Sequence, residues 1–181
     1  RTSSIALMKH SDPTIRLAIT GLGIVASIGR NQHEVWRSVA ESTSGIGKLT
    51  RFPGESFPTD LAAEVDFDLS MLPGKSRAEL RRLSRTDLLA LVAASEALAQ
   101  AFPAGAPPQS TVVSSGSSTG GLLEGEEYFF RRLVRGGSKT APSRVLQQPT
   151  SGPSDAIASQ LGLQGGVISN ATACASTLRQ S

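Results

Sequence analysis

Apolar and polar positions along the chain form blocks that predict strands and helices in turn. Residues 16–25, RLAITGLGIV, are rich in β-branched and aliphatic side chains and predict a buried strand that runs into a glycine-bearing turn. A helix is expected next, because Asn31 is a suitable N-cap and Glu34 lies three residues later, with helical apolar spacing up to about Ser42. The chain is therefore predicted to open with a β-turn-α unit.

The middle of the chain predicts a short strand and a long broken helix. Residues 61–67 are the strand candidate, and residues 76–101 have helical spacing. The helix is expected to break near Ser84, which offers a second cap with Asp87 three residues later. Its predicted buried stripe consists of Leu88, Leu91, Val92, Ser95 and Leu98.

The last third of the chain continues the alternation. Residues 110–118 predict a central strand, and a helix is expected to follow it to about Arg135. A further helix near 153–161, closed by Gly162, precedes a final strand over 166–170. Strands that alternate with helices indicate an α/β protein with a largely parallel sheet.

Composition and charge exclude several classes of protein. A chain of 181 residues that is 39% hydrophobic and 18% charged can form one domain with a real core. The net charge of +3, without a run of like charges, fits an acidic partner and gives no indication of nucleic acid. No apolar stretch of about 18 residues and no secretory signal is present, so no membrane partner is expected. A single cysteine excludes an internal disulfide and favours a cytoplasmic location.

Two nucleotide-binding motifs are matched only in part. The segment GLGIVASIG has Ala26 where a dinucleotide-binding fingerprint needs its third glycine. The segment SGIGKLT has Leu49 where a phosphate-binding loop needs a hydroxyl, and Ser42 replaces the first glycine of that loop. Neither site is predicted.

A third motif leaves a hydrolase open as an alternative. The segment GSSTG follows a predicted strand and matches a nucleophile elbow with Ser118 as nucleophile. Such a mechanism needs a histidine further along the chain, and both His10 and His33 precede Ser118. The simpler interpretation is a glycine-rich turn between a strand and a helix.

Cys174, the only cysteine, lies between a predicted strand and a segment with helical potential. The unpaired N–H groups at a helix N-terminus favour a thiolate and would make this residue nucleophilic. A lone cysteine is also commonly a small buried hydrophobic residue. The residues alone leave both interpretations open.

Seven segments taken together resemble the β-ketoacyl-acyl-carrier-protein synthases, the condensing enzymes of fatty-acid and polyketide synthesis, and in particular their elongating type. The segments occur in the family's order and at about its spacing: RLAITGLGIVASIGRN, TSGIGKL, FPTDLAAEVDFD, RRLSRTDLLALVAASEAL, GSSTGG, QLGLQGG and TACAS. The resemblance implies a thiolase-like αβαβα fold of two similar halves, of which this chain matches the first. Residues 1–14 are interpreted as an N-terminal extension, and residues 15–181 as the N-terminal half, truncated just after the nucleophile.

By this resemblance Cys174 accepts the growing acyl group as a thioester, and its backbone N–H supplies one arm of an oxyanion hole. The family also uses two histidines, a lysine and a gating loop from the second half, so the isolated chain is expected to be inactive in condensation. No cofactor or metal is implied, because acyl groups arrive on the phosphopantetheine of an acyl carrier protein. The intact enzyme is expected to be a homodimer or a heterodimer.

The resemblance also implies positions for substrate and carrier contacts. Thr119, Arg144 and Asn170 stand where elongating synthases often have small or apolar residues near the acyl chain. A buried unpaired polar group costs about 1–3 kcal/mol, so these residues disfavour a long saturated acyl chain unless they pair, and they favour a polyketide-type or other secondary-metabolic synthase.

Four arginines are candidates for docking the acidic carrier protein. Arg77, Arg81 and Arg85 would share one helical face if their helix is continuous, with Arg82 beside them. An ordinary solvated basic face is the simpler interpretation.

One further alternative is a non-catalytic partner subunit, like the chain-length subunits of some polyketide systems. Retention of Cys174 argues against it, because such subunits usually lack that residue.

Overall fold

The structure, a computed structural model, describes residues 17–53, 57–134 and 142–176. The predicted extension over residues 1–14 lies outside these ranges. Within them the α-helices are α1 (Gln32–Ala40), α2 (Arg77–Leu80), α3 (Arg85–Ala101), α4 (Leu122–Leu133) and α5 (Gly152–Leu161). The strands are β1 (Gly47–Lys48), β2 (Leu61–Ala62), β3 (Val113–Gly116) and β4 (Val167–Asn170). The 3₁₀ segments are Leu69–Met71, Pro142–Gln147 and Ala173–Ala175.

Helix α1 starts at the predicted cap. The Asn31 side chain accepts a hydrogen bond from the Glu34 amide at 3.0 Å. The Glu34 carboxylate accepts from the amide of Arg30 at 2.7 Å, one residue before the N-cap. The cap is therefore confirmed, and the helix ends two residues before the predicted Ser42.

The predicted break near Ser84 is also confirmed, because α2 ends at Leu80 and α3 begins at Arg85. The Ser84 hydroxyl accepts from the Asp87 amide at 3.1 Å, and the Asp87 carboxylate accepts from the Ser84 amide at 2.8 Å. This reciprocal pair is a complete capping box. The stripe behind it forms the main core cluster, whose buried members are Leu72, Leu80, Leu88, Leu91 and Val92, while Ser95 and Leu98 of the predicted stripe are half-buried.

Strands β3 and β4 form a parallel pair, but the described residues contain only this pair and the antiparallel pair of β1 and β2, not the larger parallel sheet that the alternation predicted. The register of β3 and β4 runs from Val113 opposite Val167 to Gly116 opposite Asn170. Helix α5 packs on this pair and on α3. It ends at Gly162, whose φ of 68° lies in the left-handed region, so the predicted glycine stop is confirmed.

The strand expected over 61–67 is reduced to β2, which pairs antiparallel with β1. Its backbone departs from strand pairing after Ala62. The Glu64 carboxylate instead accepts from the amides of Thr50 and Arg51, so a side chain continues the contact between the two segments.

The buried strand predicted for the start of the chain is wrong for residues 17–25, which form no strand. The amides of Leu22 and Ile24 donate to the side chains of Gln100 and Glu96 in α3, at 2.7 Å and 2.9 Å. Their hydrogen-bond partners are therefore side chains of a helix and not a neighbouring strand. The β-branched composition indicated an extended backbone. It did not indicate that side chains of α3, and not a second strand, would accept the hydrogen bonds of its amides.

Large apolar side chains remain exposed on the described part of the chain. They include Leu17 at 95% exposure, Trp36 at 72% and Leu133 at 78%. A search of the described helices found none with the length and apolar content needed to cross a bilayer.

Asp87 is a buried carboxyl at the start of α3, with 3% of its surface exposed. Its Oδ1 atom is buried without a hydrogen-bond partner among the described residues and faces Gly152 of α5. Burial raises the pKa of Asp87, and the carboxylates of Glu124 and Asp155 raise it further, while the hydrogen bonds with Ser84 oppose the shift. The folded chain therefore holds this proton more tightly than the unfolded chain does.

Replacement of Gly23 by alanine tests the packing of residues 17–25 on α3. A Cβ at this position would lie 1.8 Å from the carbonyl oxygen of Ala93, which belongs to the rigid helix backbone. We expect Gly23→Ala to lower the free energy of unfolding by about 1–3 kcal/mol, measured by urea denaturation. The matched control is Gly47→Ala, where a Cβ meets nothing within 4 Å. Equal stability of the two variants would contradict the close packing.

The pH dependence of stability tests the buried carboxyl. Because the pKa of Asp87 is raised in the fold, its contribution to stability is greatest below the ordinary value of 3.8 and falls as pH rises through the raised value. We expect Asp87→Asn, which cannot ionise, to gain stability relative to the original chain as pH rises from roughly 4 to 7. Urea denaturation at several pH values measures the difference, with the exposed Asp60→Asn as control. A constant difference across this range would show that Asp87 titrates normally.

Candidate active site

Two turns with candidate nucleophiles leave the same edge of the β3–β4 pair. The last residues of the two strands, Gly116 and Asn170, are opposite each other, and the Ser117 amide donates to the Asn170 carbonyl at 3.1 Å. Because the carboxyl ends of parallel strands meet at one edge, the turn with Ser118 and the turn with Cys174 are neighbours.

A buried serine of α5 holds the two strands from one side. The hydroxyl of Ser154 has no exposed surface and lies 2.6 Å from the hydroxyl of Ser169 in β4. It also hydrogen-bonds the hydroxyl of Ser115 in β3. These three hydroxyls, the serine cluster, join the helix to both strands directly below the edge.

Cys174 lies in the 3₁₀ turn that follows β4, and its side chain is exposed. The interpretation of this residue as a small buried hydrophobe is therefore wrong. The preceding Ala173 has φ of 51°, a left-handed conformation that costs an L-residue about 1–2 kcal/mol. Strained backbone of this kind commonly occurs at functional sites. The predicted helix after Cys174 would begin beyond Ser176, outside the described residues.

Gly116 allows the cysteine turn to pack back on β3. A Cβ built on Gly116 would lie 2.8–2.9 Å from the backbone and Cβ atoms of Ser176. No residue with a side chain fits there without moving the turn. The end of β3 and the cysteine turn are therefore in direct contact.

The three predicted substrate-contact residues have different surroundings. Asn170 is half-buried at the end of β4, and Thr119 is exposed in the turn after β3, so both lie at the edge that carries Cys174. Arg144 belongs to the 3₁₀ helix Pro142–Gln147, which packs on α4, and its side chain lies outside the described part of the structure. The roles of all three residues stay predictions.

Ser118, the alternative nucleophile, is exposed after β3. Among the described residues its hydroxyl has no hydrogen-bond partner, and His33 is exposed on α1. A serine hydroxyl without an adjacent base is a weak nucleophile. The described residues therefore supply no second member of a hydrolase site.

The predicted common face of four arginines does not form, because α2 and α3 are separate helices. Arg85 is half-buried: its guanidinium donates to the Val65 carbonyl at 2.6 Å and lies 5.6 Å from the centre of the Phe67 ring. Burial and the positive charge of Arg51 lower the pKa of Arg85. This arginine is thus engaged within the chain.

The other three arginines are exposed, but they line two different cavities. Arg81 and Arg82 line a cavity of about 490 Å³ together with residues of the 142–147 segment. Arg77 lines another cavity of about 420 Å³ beside Lys75. The four arginines therefore form no single basic surface.

Residues that build the cysteine turn were missed by sequence reasoning. Ser176 is buried with 4% exposure, and Ser154 and Gly116 support the same edge. Serine hydroxyls commonly bond nearby backbone groups in turns, so the residue type of Ser176 was a weak local signal. The partners of Ser154 come from distant segments and leave no local signal. Within the described ranges no three His, Cys, Asp or Glu side chains are grouped as a metal site.

Comparison with solved structures defines the class of fold. The ishigamide ketosynthase/chain length factor superposes with a TM-score of 0.72 at 23% identity, over 84% of this chain and 39% of that one. A ketosynthase in complex with its chain length factor from Xenorhabdus doucetiae gives 0.62 at 25% identity, over 89% of this chain and 40% of that one. The fold is that of the thiolase-like condensing enzymes, and this chain covers about the first of its two halves.

Sequence comparison defines the family. Residues 15–179 match the model of the β-ketoacyl synthase N-terminal domain. The 3-oxoacyl-[acyl-carrier-protein] synthase 2 of Coxiella burnetii is 30% identical over 169 residues, which are 90% of this chain and 40% of that protein. The chain belongs to the β-ketoacyl synthase family, as the seven segments predicted. It spans about 40% of the length of that curated relative.

The left-handed residue before Cys174 is open to a direct test. We expect Ala173→Gly to leave stability unchanged or raise it by up to about 1 kcal/mol, because glycine adopts positive φ without steric cost. The matched control Ala175→Gly, two residues later and without positive φ, should lower stability by about 0.5–1 kcal/mol. Urea denaturation measures both. A destabilisation of Ala173→Gly equal to that of the control would show that Ala173 is unstrained.

Proposed function

We propose that this chain provides the acyl-accepting part of a β-ketoacyl synthase, with Cys174 as the nucleophile. The observation that carries the proposal is the exposed thiol on a strained turn at the carboxyl edge of the parallel pair. Membership of the β-ketoacyl synthase family supports it, because the resemblance places the acyl-accepting cysteine at this position.

In the proposed first step the Cys174 thiolate attacks the carbonyl carbon of an acyl thioester. A bond forms between that carbon and the cysteine sulfur, and the carrier thiolate leaves and takes up a proton. Negative charge develops on the carbonyl oxygen during the attack, and we assign the backbone N–H of Cys174 as one donor that stabilises it. The acyl group then waits on Cys174 as a thioester.

In the proposed second step, which we assign to the whole synthase and not to this chain alone, a malonyl thioester loses carbon dioxide, and the carbanion equivalent attacks the carbonyl carbon held on Cys174. The new carbon–carbon bond forms as the bond to sulfur breaks, and the thiolate is regenerated. Covalent capture thus divides one condensation into two easier displacements. Thr119 and Asn170 lie at the same edge, and we assign them to contact with the acyl chain.

The proposed acyl donor is an acyl carrier protein, with phosphopantetheine as the carrier arm and no further cofactor. The name of the Coxiella burnetii relative specifies this carrier. Arg81 and Arg82 are exposed and line one cavity, which suits an acidic partner. A dimer, with a second copy or with a related subunit, and a cytoplasmic location complete the proposal.

Covalent labelling tests the assignment of the nucleophile. We expect a short acyl thioester or a cerulenin-like electrophile to leave one adduct, which peptide mapping by mass spectrometry places on Cys174. Cys174→Ala should abolish the adduct, and Ser118→Ala, the matched control on the neighbouring turn, should leave it intact. An adduct on Ser118 would support the hydrolase alternative. A chain that no thioester acylates would support a non-catalytic partner subunit instead.

A further inference from the structure

Ser176 is a buried hydroxyl that closes the turn around Cys174. Its Oγ atom accepts a hydrogen bond from the Thr172 amide at 2.8 Å and donates one to the Ala173 carbonyl at 2.8 Å. A serine hydroxyl has one proton to donate and can accept at its lone pairs, so both kinds of bond are made here at good length.

The two backbone groups that Ser176 bonds are those that set the direction of the chain into Cys174. Ala173 holds its unfavourable φ of 51°, and the same carbonyl also accepts from the Ser176 amide at 3.1 Å. A strained residue keeps such a conformation only when its surroundings impose it. The hydroxyl of Ser176 provides that restraint from the far side of the cysteine.

The position of Ser176 is in turn fixed by β3. Gly116 leaves no room for a Cβ against the Ser176 backbone, and the Ser117 amide bonds the carbonyl of Asn170 at the end of β4. The bracing serine is therefore seated on the parallel pair and not only on its own turn. Movement of β3 would displace the hydroxyl and release the turn.

We infer that Ser176 is a positioning residue, whose hydroxyl holds the strained turn that presents the Cys174 thiol. The inference rests on the proposed function for its chemical meaning, since orientation of the thiol matters only to a nucleophile. It assigns Ser176 no contact with substrate. Its effect is on the backbone around the reacting sulfur.

The reactivity of the thiol towards iodoacetamide provides the test, because an exposed cysteine is alkylated whether or not it accepts acyl groups. The rate of Cys174 alkylation is measured across a pH series in the original chain, in Ser176→Ala and in the same chain unfolded in urea. We expect the alkylation rate of the folded original chain to differ from that of the unfolded chain at the same pH. The alanine variant should move towards the unfolded profile, by about threefold or more in rate, as loss of one or two hydrogen bonds implies.

The matched control is Ser159→Ala, which removes another serine hydroxyl that donates to a backbone carbonyl, that of Ala156 within α5. It should leave the alkylation profile unchanged. A general loss of stability would also leave the profile of the folded molecules unchanged, so circular dichroism confirms folding in each case. The inference would be overturned if Ser176→Ala and the original chain were alkylated at the same rates. It would also be overturned if the folded original chain were alkylated at the rates of the unfolded chain.

Two further measurements decide the matter if the alanine variant does not fold. Gly116→Ala should shift the alkylation profile in the same direction, because it displaces Ser176 without removing the hydroxyl. In the original chain, hydrogen exchange should show protection of the Thr172 amide, and exchange at the rate of a free amide would exclude the bracing bond. Failure of acylation together with a shifted alkylation profile would refute the proposed function alone, whereas acylation with unshifted profiles would refute only the role of Ser176.

Discussion

The buried start of α3 is the junction on which the rest of the described chain depends. Ser84 and Asp87 cap the helix and are both almost free of solvent contact. A Cβ on Gly152 would come within 2.6 Å of the Asp87 carboxyl, and one on Gly121 within 3.0 Å of the Ser84 side chain. The side chain of Gln147 donates to a carbonyl of the same region. Three segments thus meet at the N-terminal end of α3: helix α4, helix α5 and residues 142–147. They can pack this closely only because Gly121 and Gly152 have no side chain.

The same junction reaches the edge where the cysteine turn lies. The Thr86 hydroxyl donates to the Gly120 carbonyl at 2.8 Å, and the Arg85 amide donates to the Glu124 carboxylate at 2.8 Å. The turn between β3 and α4, which contains Thr119, is therefore held by the first turn of α3. Strand β3 also contacts the cysteine turn through Gly116. The position of the cysteine turn therefore depends on the first turn of α3, which is about 90 residues earlier in the sequence.

The sequence predicted those features whose cause is local. The capping box at Ser84, the stop at Gly162 and the strand before Cys174 follow from neighbouring residues and are confirmed. The segment 17–25 was predicted wrongly, because composition indicates an extended backbone but not whether a strand or the side chains of α3 will bond its amides. The predicted single face of arginines is wrong because α2 and α3 are separate helices, and the contacts of Arg85 with residues 65 and 67 could not be read from the local sequence.

The serine cluster has a consequence for how this part of the protein can change. Each hydroxyl has one proton, so the three form a chain that can be polarised in either direction, with Ser154 donating to one neighbour and accepting from the other. Ser154 is the fully buried member, so loss of both Ser115 and Ser169 would leave its buried hydroxyl without these two partners. Substitutions at Ser115, Ser154 and Ser169 are therefore coupled, because their hydroxyls link α5 to two strands that are themselves paired at this point.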